Sequence, residues 1–195
     1  MALRPVLKAV AVRATALALA AVLTGCGFQL RGTSPVPAAL QPLAVKCGSQ
    51  IPDTLCLSVK EQLALGGLET SDAADAAYVL SLNSYSRDRR ASAITVRAAA
   101  AEYTLTQAVR IELITDDRVP LIADTELSVR ESYRYDETNI LAKQQEQDEL
   151  EQRMNDRLAQ QILFRLAPMT EARIQAIRED YRASNPPAES DAGQP

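Results

Sequence analysis

Between Ala101 and Arg134 the chain alternates. Tyr103, Leu105, Val109, Ile111 and Leu113 share one parity, while Thr104, Thr106, Arg110 and Glu112 share the other. Leu121, Ala123, Leu127, Val129 and Tyr133 repeat the pattern against Asp124, Glu126, Ser128, Arg130 and Arg134. A period of two with one polar face predicts strands of a sheet covered on one side only. DDRVP, Asp116 to Pro120, is a turn and makes the two strands an antiparallel hairpin. Ahead of them, YVLSLNSYS, Tyr78 to Ser86, places Tyr78, Leu80 and Leu82 on one face, and LAVKC, Leu43 to Cys47, reads as a short first strand.

Two stretches carry the helical period instead. Leu55, Val59 and Leu63 recur every fourth residue, with Pro52 at the start, Ser49 or Asp53 as capping candidates, and Gly66-Gly67 at the end. After Asp136, Leu150, Met154, Leu158, Ile162 and Leu166 keep the same spacing, and Ala159 and Leu163 widen the stripe until Pro168 stops it. TEARIQAIREDYRAS predicts a shorter helix or the frayed end of the same unit. NPPAESDAGQP has nothing larger than alanine to bury and is expected to be disordered. The order β-α-β-β-β-α predicts an α+β two-layer sandwich: two helices packed on one face of a four-stranded sheet, followed by a short C-terminal helix.

The first residues belong to a different pattern. MALRPVLKAVAVR holds Arg4, Lys8 and Arg13 and no acid, and Ala14 to Leu23 is a run of ten apolar or near-apolar residues, half of the ~20 a spanning helix requires. A basic start, a short apolar middle and small residues before a cut describe a secretory leader. Leu23-Thr24-Gly25-Cys26 resembles the lipobox of bacterial lipoproteins, in which the cysteine thiol takes a diacylglycerol and the new N-terminus an acyl chain. Each buried methylene contributes about 0.8 kcal/mol, so more than one chain anchors stably. Cys26 is thus the expected lipidation site, and these covalent lipids are the one non-protein group expected, with no cofactor. Gly27 in place of an inner-membrane retention aspartate favours the outer membrane. The expected organisation is a leader at 1–25, a lipidated N-terminus and Pro-rich tether at 26–42, a domain at 43–183 and a disordered tail at 184–195.

Removing the leader changes the charge. It takes three of the 21 basic residues and none of the 25 acidic ones, leaving 170 residues at −7. That balance, with no basic run, argues against nucleic acid as a partner. Of three cysteines, lipidation of Cys26 leaves Cys47 and Cys56, with eight residues between them. In an oxidising periplasm such a pair tends to close; two reduced, packed thiols are the alternative.

The chain has no histidine, which removes the usual triads and most catalytic zinc sites. It has no Gly-rich phosphate loop, and its cysteines do not form C-x-x-C. No enzyme is expected. Arginine is the more informative residue: Arg87, Arg89 and Arg90 end one strand, Arg97, Arg110, Arg130 and Arg134 come from strands or their edges, and alternation puts Arg110, Arg130 and Arg134 on the uncovered face. Such a face either meets phosphate or carboxylate, which arginine binds in a fork, or is a solvated face paired with Glu112, Asp124 and Glu126.

Three motifs together resemble the LptE (RlpB) family. LTGCGFQLRG at residues 23–32 resembles its start, AEYTLTQAVRIEL at 101–113 its central strand, and ILAKQQEQDELEQRMNDRLAQQILFRL at 140–166 its long C-terminal helix. The resemblance implies a lipoprotein that sits inside the outer-membrane β-barrel LptD, assists its assembly, plugs its lumen and takes part in delivering lipopolysaccharide to the cell surface. It also implies direct lipopolysaccharide binding through basic residues. Lys143 matches one of these by motif; at the other, Val96 aligns and the neighbouring Arg97 is the candidate. A general outer-membrane lipoprotein scaffolding another envelope complex would carry the same lipobox and the same sandwich.

Overall fold

A computed structural model describes residues 36–94, 100–134 and 140–186, with the backbone alone at 100, 101 and 140–143; all lie within one unit, Ser34–Pro195. The leader, Cys26, Arg97 and the tail beyond Pro186 lie outside the described residues.

Strand β1 (Leu43–Cys47) leads into helix α1 (Asp53–Leu65); β2 (Tyr78–Ile94), β3 (Ala100–Thr115) and β4 (Pro120–Arg134) follow, then α2 (Ile140–Leu166) and α3 (Glu171–Ser184). The sheet order is β1-β2-β3-β4, parallel between β1 and β2 and antiparallel elsewhere. A parallel partner requires a crossover, which α1 provides. Gly48 permits the turn out of β1: its N–H donates to Leu82 O at 2.9 Å, and a Cβ there would stand 3.1 Å from that oxygen. Gly67 closes α1 in the left-handed region at φ 78°. Pro52 occupies the N-cap position of α1 without a side-chain cap, whereas Thr170 Oγ1 caps α3 by accepting from Arg173 N.

β1 pairs only with Leu82 and the residues before it in β2, so the sheet has four strands at one end, the base, and three at the other, the tip. Both covering helices lie on one face, but α1 covers the base alone. There Leu55, Val59 and Leu63 meet Leu43, Leu80, Ile111, Leu113, Met154, Leu158 and Ile162 in one buried cluster. Between α1 and α2 runs a polar seam. Asn155 Nδ2 donates to Thr54 Oγ1 at 3.1 Å, and Ser58 Oγ donates to Asp156 Oδ1 at 3.0 Å. Cys47 of β1 and Cys56 of α1 are joined by a disulfide with a Cα–Cα distance of 6.2 Å. It ties the edge strand to the helix above it.

Three boundaries differ from the sequence reading. The expected tether does not reach Pro42: Val36 and Leu40 are buried in the core, and residues Ala38–Leu40 form a 3₁₀ turn. Strand β2 runs on to Ile94, well past Ser86, because β3 pairs with it throughout. At the other terminus Ser184 ends α3, and Asn185 closes that helix with its N–H and Nδ2 both donating to Tyr181 O.

Candidate functional site at the tip of the sheet

The tip is built by charged residues in strands. Beyond Ser86, β2 reads Arg87-Asp88-Arg89-Arg90, a sequence with no apolar alternation, held extended by its ladder to β3. A register shift between Leu82 and Ser84 exchanges the faces of the residues from Ser84 to Ala91. Arg87 and Arg89 therefore face α2, and Asp88 and Arg90 face the uncovered side.

On the helix side, Tyr103 of β3 stands opposite Tyr133 of β4, their rings stacked with centroids 5.9 Å apart. The Arg89 guanidinium lies 4.7 Å over the Tyr103 ring, a cation–π contact. Above this layer Gln147 of α2 takes the central place. Its Oε1 accepts from Tyr133 Oη at 3.1 Å and from Arg89 Nη1 at 3.5 Å, and its Nε2 donates to Glu151 Oε1 at 2.8 Å. Glu151 in turn takes an ion pair from Arg87 at 2.5 Å. Tyr85 sits in the same layer: burial pushes its hydroxyl above the usual phenol range, Arg87 opposes and Glu151 adds, so it stays a neutral donor at neutral pH.

The opposite face of the tip forms a shallow open groove floored by small polar side chains, among them Ser86, Thr104, Thr106 and Ser128. Arg110 pairs with Asp124 at 2.8 Å and Arg90 with Asp88 at 2.6 Å, while Arg130 Nε donates to Thr106 Oγ1 at 3.4 Å. The arginines that alternation assigned to this side are there. Arg110 is satisfied by a strand carboxylate; Arg130 has hydroxyl company.

Lys143 occupies the first turn of α2, which starts at the tip, whereas Arg97 lies outside the described residues. Cys47 and Cys56 lie at the base, remote from this cluster in the topology. No group of metal-ligating side chains occurs among the described residues, and no helix among them is long and apolar enough to cross a membrane.

At the base, Arg178 of α3 reaches Asp116 and Asp117 of the β3–β4 turn, each at 3.5 Å. The Thr115 hydroxyl, bonded to Asp117, holds that carboxyl below its usual range; burial opposes, and Arg178 and Arg182 add to the lowering. This cluster fastens a helix.

Gln147 is the tip residue that pattern reading passed over. A glutamine among glutamines in QQEQ has no periodic signal; its single cue is the place four residues before Glu151 on the face that continues the Leu150–Met154 stripe.

Residues 40–166 match the family model LptE, lipopolysaccharide-assembly, from the 3₁₀ turn through the last residue of α2. The chain belongs to the LptE family. Among curated LptE proteins, the LPS-assembly lipoprotein of Pectobacterium atrosepticum is 33% identical over 155 residues, covering 77% of this chain and 82% of that one. The counterpart from Photorhabdus laumondii is 31% identical over 165 residues, 84% of this chain and 89% of its own. Among solved structures, the rare lipoprotein B from Shewanella oneidensis superposes with a TM-score of 0.59 at 25% identity, covering 69% of this chain and 98% of that one. Lipoprotein B from Nitrosomonas europaea gives 0.62 at 18% identity over 77% and 96%. The sandwich is thus the LptE fold, and α3 lies beyond the part that the family model matches.

Proposed function

We propose that this chain is an outer-membrane lipoprotein of lipopolysaccharide assembly, anchored through acylated Cys26. It enters and plugs an LptD-type β-barrel, assists the barrel's assembly, and takes part with it in delivering lipopolysaccharide to the cell surface. It works by binding, without turnover of a substrate. The observation that carries this reading is the family match across residues 40–166, which spans every strand and both covering helices.

The geometry supports it in two places. An uncovered sheet face floored by hydroxyls and paired charges suits a wet barrel lumen, whose lining is polar. The free side of β4 is also guarded: Gln161 of α2 donates to Ser128 O at 3.3 Å, and Arg157 pairs with Glu131. A blunted edge lets the protein sit among barrel strands without adding to them. Lys143 and Arg97 are the residues proposed to engage lipopolysaccharide phosphates.

The test is a pull-down of the lipidated protein from outer membranes in mild detergent. A stoichiometric barrel of LptD type is the expected result. A clean monomer, or a stable complex with a different envelope protein, would overturn the reading in favour of a general lipoprotein scaffold.

A further inference from the structure

We propose that Gln147 is a positioning residue for lipopolysaccharide binding: it clasps the first turns of α2 to the tip of the sheet and so sets the place of Lys143. The inference rests on the reading that Lys143 engages lipopolysaccharide.

From Gln144 to Glu149 every side chain of α2 is polar, and Gln147 alone among them is partly buried. What ties this stretch of the helix to the sheet is a set of hydrogen bonds that converge on one amide. Gln147 Oε1 receives donors from two strands, Arg89 of β2 and Tyr133 of β4, and its Nε2 holds Glu151, which Arg87 of β2 secures. The two strands are not neighbours; β3 lies between them. One glutamine thus spans all three tip strands and stops the helix end from rolling across the sheet. Lys143 precedes it by four residues, one helical turn, and so inherits its register. The stacked Tyr103–Tyr133 pair beneath makes the platform rigid.

The experiment measures binding of purified lipopolysaccharide to the lipidated full chain in wild type, Gln147→Ala, Lys143→Ala and the double variant, with thermal unfolding of each. Gln147→Ala is expected to weaken binding about three- to tenfold, the loss expected when hydrogen bonds that orient a contact are removed. The double variant should bind no more weakly than Lys143→Ala alone, because a positioning residue acts through what it positions. Tyr133→Phe, which deletes one donor and keeps the stack, should show the same pattern at smaller size and carries the test if Gln147→Ala fails to fold. Wild-type affinity in Gln147→Ala with weakened Lys143→Ala overturns the inference alone. Additive losses in the double variant also overturn it, since they mean an independent contact. Absence of binding by wild type overturns the reading it rests on, and the inference with it.

Discussion

The two ends of the sheet are stabilised by different means. At the base, four strands lie under two helices, and Leu55, Val59, Leu63, Met154, Leu158 and Ile162 are fully buried. At the tip, three strands lie under the first turns of one helix, and arginine, tyrosine, glutamine and glutamate make the contacts. Burial of apolar surface is non-directional and large; an exposed ion pair contributes about 0–1 kcal/mol. The base therefore holds the molecule together, while the tip sets direction and opens locally at little cost. That division suits a protein whose base must survive insertion into a barrel and whose tip must meet a charged ligand.

Substitution in the base should have the largest effect. Leu158 is fully buried between α1 and the sheet, and Leu158→Ala is expected to cost about 2–5 kcal/mol in denaturant unfolding. A loss below about 1 kcal/mol would break the comparison. Reduction of the Cys47–Cys56 bond, or Cys47→Ser with Cys56→Ser, comes next. With a sequence separation of 9, the chain-entropy model puts its contribution at about 2–3 kcal/mol. The loss should appear in global unfolding and leave amide exchange at the tip unchanged, because the bridge joins β1 to α1 and neither element reaches the tip. Arg87→Ala should reverse that signature. Its side chain is half exposed, so global stability should fall by about 1 kcal/mol or less, while amides at 147–151 exchange faster. Loss of protection along the whole of α2 would show that the tip, too, carries the fold.

The base was also the part legible in the sequence. Leucines at spacing four, alternation in β3 and β4, and a turn at Asp116–Pro120 all record burial, and burial is what periodicity encodes. The tip left little record for the same reason. Strand β2 continues through Arg87-Asp88-Arg89-Arg90 because β3 pairs with it, a non-local cause that no local pattern registers. The shift at Leu82 and Ser84 then exchanged its faces, so that Arg87 and Arg89, which pattern reading left at the end of a strand, face the helix instead. The proline-rich approach misled in the opposite sense. Three prolines predicted an extended tether to Pro42, yet Val36 and Leu40 are apolar side chains within reach of a core and are buried in it. Composition registered the prolines, and two buried side chains with a 3₁₀ turn decided the course of the chain.

Acid should have the smallest effect, and it separates a polar contact backed by burial from one without it. Asp117 is bonded to Thr115 and faces Arg178 and Arg182 of α3, with Asp116 beside it. Its carboxyl is lowered in the folded state, so the stability it contributes is fully present above the unfolded value of 3.8. That contribution is lost as pH falls through the lower folded value. Because Asp117 is 45% exposed, solvent screening limits the contribution to about 0.5 kcal/mol or less. The melting temperature of wild type should therefore show a small extra decline below about pH 4 that Asp117→Asn lacks. Amide exchange of α3 should scarcely change across the same step, since Ile174 is fully buried behind the ion pairs and keeps the helix docked. Release of α3 in acid would mean that charge alone fastens it. The base would then depend on its polar contacts as the tip does, and the contrast between the two ends would be one of degree.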